Sequence, residues 1–155
     1  MRAADDVSAV WTARDGTPLL FTRIKGALIE ACWTQLRPFV VEACARSHGR
    51  FTPMWAAQRL ADHTDQLWAL IDASGVARGV VTTHLGRYPT GLRVLEIILI
   101  GGRDIGRANA RAIWAALQTY RDLQDCTRIE WQGRKGISRW LGLSGVRAIG
   151  ALCEV

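Results

Sequence analysis

Apolar and polar positions recur along this chain in two different periods, and the changes of period divide it into elements. Residues 8–13 and 18–22 alternate like two short strands, joined through the turn signal Asp15-Gly16. From residue 23 to 47 the spacing turns helical, with Ile24, Leu28, Cys32 and Leu36 on one face. Pro38 interrupts that run, which predicts two helices or one bent helix. Arg46, His48 and Gly49 form a stop signal. Thr52-Pro53 then opens a further helix, threonine as cap and proline in the first turn, reaching to about residue 63.

Beyond that point the period shortens to two. Residues 66–73 and 76–85 read as a hairpin folded about Ser74-Gly75. A loop over 86–91 leads to residues 92–100, apolar on both faces, as expected of a strand covered on both sides. A helix over 105–124 sets Ile113, Leu117 and Tyr120 at core spacing. A strand over 127–132, a short helix over 136–143 and a closing strand over 146–154 complete the pattern. The order predicts an α/β chain, a mixed central sheet flanked by helices.

The 155 residues, 49% of them apolar, suffice for one domain over 1–155 with a real core, residues 1–16 forming a loosely held N-terminal segment. No run is long enough to span a membrane, and the start lacks the apolar stretch of a signal peptide. The expected setting is therefore cytoplasmic, with no membrane partner. Cys32, Cys44, Cys126 and Cys153 form no Cys-x-x-Cys pair and read as buried reduced thiols. With His48, His63 and His84 scattered, no metal is expected. The net charge of +6 comes almost wholly from arginine, Lys25 and Lys135 being the only lysines. That balance suits an anionic ligand. No nucleic-acid motif or basic run accompanies it, so nucleic acid is not the expected partner.

The most informative stretch joins the apolar strand to the helix after it. The turn Gly101-Gly102-Arg103-Asp104-Ile105-Gly106-Arg107-Ala108 feeds a helix N-terminus, where unpaired backbone N–H groups and the helix dipole favour phosphate. Gly106 allows close backbone approach and the small Ala108 keeps the helix start open. Arg103, Arg107 and Arg111 can add charge-assisted contacts. Upstream, Glu96 is the one carboxylate in the apolar strand, a candidate general base.

From about residue 66 to 155 the order of elements resembles the GNAT acetyltransferase fold, in a form similar to small GNAT-like proteins of bacteriophages and prophages. Arg103-Asp104-Ile105-Gly106-Arg107-Ala108 fits the family's pyrophosphate motif: Arg or Gln, two residues, Gly, one residue, then Gly or Ala. The motif follows a central strand and starts a helix, as it does in that family. Trp140-Leu141-Gly142-Leu143-Ser144-Gly145-Val146 resembles the family's late helix-to-strand segment. Trp68 and Glu130-Trp131-Gln132-Gly133-Arg134 give the likeness its phage-like flavour.

The resemblance implies acetyl-CoA as cofactor and transfer of its acetyl group to an amine, a small molecule or a peptide. It implies that backbone around Gly106, Arg107 and Ala108 binds the pyrophosphate. The strand over 92–100 would splay from the strand over 127–132, leaving backbone near Leu99 and Ile100 to pair with pantetheine. Glu96 would be the base, and Tyr88, in the loop before that strand, would line the acceptor pocket; these two are the candidate catalytic residues. Tyr120 is expected in the core. Two departures favour an alternative. Trp140 stands where a tyrosine acid is usual, and Asp104 could cap the helix and repel a phosphate. The alternative is a catalytically inactive phage structural or accessory protein, virion-associated, that binds a protein partner (virion or self-association) through some of its seven tryptophans.

Overall fold

A computed structural model of the chain describes residues 7–12, 18–103 and 107–132; for residues 9–12, 107 and 108 it describes the backbone alone. Six strands lie side by side in chain order: β1 (Ser8–Thr12), β2 (Pro18–Ile24), β3 (Asp65–Asp72), β4 (Ala77–Arg87), β5 (Arg93–Gly102) and β6 (Arg128–Trp131). Neighbours from β1 to β5 run antiparallel, and β5 and β6 run parallel. A parallel pair needs a crossover, which the helix α3 (Arg107–Leu123) supplies. The helices α1 (Gly26–Ala45) and α2 (Pro53–Ala61) intervene between β2 and β3.

The helices cover the sheet on both faces, and each strand divides its side chains between them. On one face Phe21, Trp68, Leu70, Val81, Leu95 and Ile97 pack with Ile113, Leu117 and Tyr120 of α3. On the other, Leu67, Ala69, Val80 and Leu99 pack with Leu36 and Val40 of α1 and Ala56 and Leu60 of α2. This is why β3 and β5 read as nearly unbroken apolar runs. Trp68 is fully buried, stacked on Phe21 and edge-on to Tyr120, and its indole N–H donates to Thr83 Oγ1 at 3.0 Å. Tyr120 lies in the core, as its spacing predicts.

The cap of α2 follows its sequence signal: Thr52 Oγ1 accepts from the Trp55 N–H at 3.1 Å and Pro53 takes the first turn. Other boundaries differ for tertiary reasons. Arg23 and Ile24 extend β2 because they pair with Trp68 and Leu67, so α1 begins at Gly26 rather than residue 23. Of the predicted face Ile24-Leu28-Cys32-Leu36, Leu28 alone is exposed, at 53%; Ile24 and Cys32 pack at the edge of the core, Leu36 is buried, and the row continues into the second half of α1 through the buried Val40 and Cys44. α1 continues through Pro38 as one helix. Pro38 and Thr34, four residues earlier, are both exposed, so water can meet the carbonyl that loses its donor. The predicted helix over 136–143 and strand over 146–154 lie outside the described residues, as do Cys153 and Trp140. Cys44 and Cys126 are buried free thiols, their pKa values raised by that burial, and Cys32 is half-buried.

Gly101 and Gly102 belong to β5, not to the turn after it. At Gly101 a Cβ would lie 2.2 Å from the backbone oxygen of Phe39, so α1 sits on the strand at the one place a side chain is missing. Replacing Gly101 by alanine is expected to force the helix off the sheet and cost about 1–3 kcal/mol, read by urea unfolding.

The β3–β4 hairpin is tied by Asp72, whose Oδ1 accepts from the Ser74 and Val76 N–H groups at 2.9 Å each and whose Oδ2 takes the Arg78 guanidinium at 2.9 Å. The Val76 N–H foremost, then Arg78 and Ser74, hold this carboxyl below its ordinary pKa. A depressed folded-state pKa stabilises above the unfolded value and ceases to do so as pH falls through the folded one. Asp72→Ala is therefore expected to lower the thermal midpoint at neutral pH, the gap from the unsubstituted protein closing in the acid range.

Candidate functional site

The site begins with an irregularity in β5. Thr82 of β4 faces Leu99 and Thr83 faces Ile97, so Ile98 is an extra residue, a β-bulge. Its effect shows in the packing: Ile97 and Ile100 join the α3 face, while Ile98 and Leu99 both join the opposite one. On its other side β5 pairs with β6 only from Val94↔Arg128 to Ile97↔Trp131. Beyond Ile97, β5 continues to Gly102 with no strand beside it there among the described residues. Among the described residues the pairing of β5 with β6 ends at the bulge; the expected splay of the two parallel strands falls beyond residue 132, outside the described residues.

Just before the bulge a row of polar residues crosses the sheet on the α1/α2 face. Asp65 pairs with His84, His84 with Glu96, and Glu96 with Glu130, so β3, β4, β5 and β6 each contribute one residue. Asp65, with a side chain 3% exposed, is neutralised by Arg59 of α2 through contacts of 2.7 and 2.5 Å. Those contacts raise the Arg59 pKa. Glu130, with a side chain 14% exposed, accepts from Arg128 Nε at 2.6 Å and from the Tyr88 hydroxyl at 2.7 Å. Glu96, half-buried, has no hydrogen bond or ion pair among the described residues. Room for it comes from Gly86, where a Cβ would lie 3.2 Å from Glu96 Oε1. The α1–α2 loop reaches the same region: Arg50 Nη1 donates to Gln132 Oε1 at 3.1 Å, at the end of β6. Beside it Trp55, 37% exposed, stacks on Phe51 and carries Arg59 over its ring.

The structure brings some predicted site residues together and leaves others apart. Glu96 and Tyr88 flank the same Glu130, and the two carboxylates both raise the Tyr88 pKa, Glu130 chiefly through its hydrogen bond. That makes Tyr88 a hydrogen-bond donor to Glu130 and a weaker acid than an ordinary tyrosine. Leu99 is buried toward α1 and Ile100 half-buried toward α3, so their backbone, not their side chains, lies at the edge of β5 beyond the bulge. The Arg103 N–H is taken by the Arg78 carbonyl at 3.1 Å, continuing the ladder, while its side chain is exposed. Arg107 and Ala108 open α3, and Arg111 is exposed one turn on. Gly106 and Asp104 lie outside the described residues.

Arg59 and Asp65 carry no motif, His84 reads only as one of three scattered histidines, and Glu130 only as part of a family-like segment. One signal was available: folding the hairpin about Ser74-Gly75 suffices to bring residue 65 opposite residue 84. Nothing local connects β6 to β5, so the fourth member of the row had no such signal.

No protein-family model matches the chain, and no curated protein matches it by sequence. Solved structures do match it. A ribosomal-protein-alanine N-acetyltransferase from Brucella melitensis biovar Abortus 2308 shares 13% identity and a TM-score of 0.62, over 88% of this chain and 97% of its own. The tetramutant of BH1408 protein from Bacillus halodurans shares 14% identity and a TM-score of 0.65, over 87% and 97%. An aminoglycoside acetyltransferase, meta-AAC0020, from an uncultured soil metagenomic sample shares 12% identity and a TM-score of 0.62, over 88% and 95%. At such identities the likeness is one of fold, and the fold is that of the GNAT acetyltransferases.

The Tyr88–Glu130 contact is open to direct titration. In a Tyr120→Phe background the one remaining phenol is expected to ionise above the ordinary tyrosine value of 10.0. Glu130→Gln should bring that ultraviolet-detected midpoint down.

Proposed function

We propose that this chain is an N-acetyltransferase that uses acetyl-CoA and acts on an amine. The observation that carries the reading is the position of Glu96: a carboxylate with no hydrogen bond or ion pair among the described residues, one residue before the last described rung between β5 and β6, with the start of α3 beyond the far end of the same strand. The fold likeness supports it, since solved neighbours bear the names of acetyltransferases.

The residues fit the cofactor. The edge of β5 beyond Ile97, which pairs with no strand on the β6 side among the described residues, would offer backbone N–H and C=O groups near Leu99 and Ile100 to the amide-bearing pantetheine arm. The exposed side chains of Arg103 and Arg111, with the amides of Gly106, Arg107 and Ala108 at the helix start, would hold the pyrophosphate. Bound there, acetyl-CoA supplies an activated acetyl thioester. Glu96 attracts the ammonium form of the acceptor and takes its proton, leaving the lone pair that attack on a carbonyl requires. Tyr88 and Arg128 hold Glu130 beside it, which leaves Glu96 as the carboxylate of the row without a partner among the described residues and favours a cationic acceptor. The acceptor itself is an amine of unassigned structure.

Calorimetric titration tests the cofactor half. Acetyl-CoA is expected to bind with micromolar affinity, and Gly106→Asp to abolish binding while the fold persists. Unchanged affinity in that variant, or no binding at millimolar acetyl-CoA, would refute the reading. For Glu96→Gln, intact affinity with turnover at neutral pH slowed roughly a hundredfold is expected.

A further inference from the structure

His84 stands directly opposite Glu96 in the β4–β5 register, on the same face, where such pairs hold their Cβ atoms about 5 Å apart. Its Nδ1 lies 3.1 Å from Asp65 Oδ1 and 3.1 Å from the Thr64 carbonyl oxygen. Two acceptor oxygens at that distance call for a proton on Nδ1, because a lone pair there would face two others. Arg59 Nη2 also lies 3.1 Å away; one of its two N–H groups goes to Asp65 Oδ1 at 2.5 Å, and against the single remaining N–H the two acceptor oxygens prevail. The neutral imidazole therefore keeps its Nε2 lone pair free, and Nε2 has no hydrogen-bond partner among the described residues. Its side chain is 28% exposed, so water reaches the ring, and Glu96 is its cross-strand neighbour. The groups that set its charge are Asp65 and Arg59 behind it, Glu96 across from it, and Glu130 with Arg128 and Tyr88 one strand further.

We propose that His84, oriented by Asp65, carries onward to solvent the proton that Glu96 takes from the acceptor amine. The proposal rests on the transferase reading above. Its bookkeeping closes: the ammonium gives one proton to Glu96, the freed amine bonds to the acetyl carbon, and the carbon–sulfur bond breaks with its electron pair on sulfur. The nitrogen's surplus proton ends on that sulfur. The Glu96 carboxyl passes its own proton to His84 Nε2, directly or through one water, and the imidazolium releases it to bulk water. An imidazole suits this step because its ordinary pKa lies near neutrality, where it can both accept and release.

The informative variant is His84→Asn. Its side-chain amide N–H stands where Nδ1–H was and keeps the contact with Asp65, but it cannot carry a proton. Thiol release from acetyl-CoA would be followed with three amines at millimolar concentration: spermidine, sisomicin and an alanine-terminated tripeptide. In His84→Asn kcat should fall tenfold or more, with acetyl-CoA affinity by calorimetry unchanged, and added imidazole should restore part of the rate. Imidazole nitrogen shifts by NMR should show the neutral ring protonated on Nδ1. A wild-type rate in His84→Asn, a lost rate that imidazole does not restore, or a neutral ring protonated on Nε2, would overturn the proposal and leave the transferase reading standing. Failure of the wild type to bind acetyl-CoA, or to release thiol with any of the three amines, would overturn both.

Discussion

The bulge at Ile98 is the constraint on which the rest depends. Side chains on a strand alternate with period two, so one extra residue exchanges the faces of everything after it. Before the bulge Leu95 and Ile97 point to α3, and Glu96 lies on the α1/α2 face with His84 and Glu130. After it Leu99 and Gly101 meet α1, which lets the helix sit on the glycine. Without the extra residue Leu99 would stay on the α3 face and the approach at Gly101 would be lost. The same irregularity coincides with the last rung between β5 and β6 among the described residues.

Electrostatics then sorts the polar row. Three carboxylates and two guanidiniums share a narrow band across four strands. Asp65 is paired by a half-buried, bidentate arginine, and Glu130 is shared between Arg128 and a phenol. Glu96 is left over. A charge without a partner is costly in a core, but Glu96 is only half-buried. This is the arrangement expected of a carboxylate whose partner is an arriving cation. The buried hydroxyl of Thr82, which has no hydrogen bond among the described residues, lies on the same face at the bulge. It marks a second place where local satisfaction gives way to the geometry of the bulge.

The pattern of apolar positions by itself determined the element order, because the period-two and helical repeats are written locally and the caps at Thr52 and Ser74-Gly75 are local chemistry. It also determined that β5 needs cover on both faces, that Tyr120 is core, and that Glu96 is alone among apolar neighbours. Tertiary structure decided what depends on partners far along the chain. Arg23 and Ile24 are strand rather than helix because Trp68 and Leu67 pair with them, and the second half of α1 is the more deeply buried, where Phe39 and Ala43 lie against Gly101 of β5. Gly101 and Gly102, which resemble the start of a phosphate loop when read in order, are strand residues shaped by a helix backbone some sixty residues earlier. The row Asp65–His84–Glu96–Glu130 exists only through register. Register is fixed by cross-strand hydrogen bonds and a bulge, and neither leaves a mark in the spacing of a single strand.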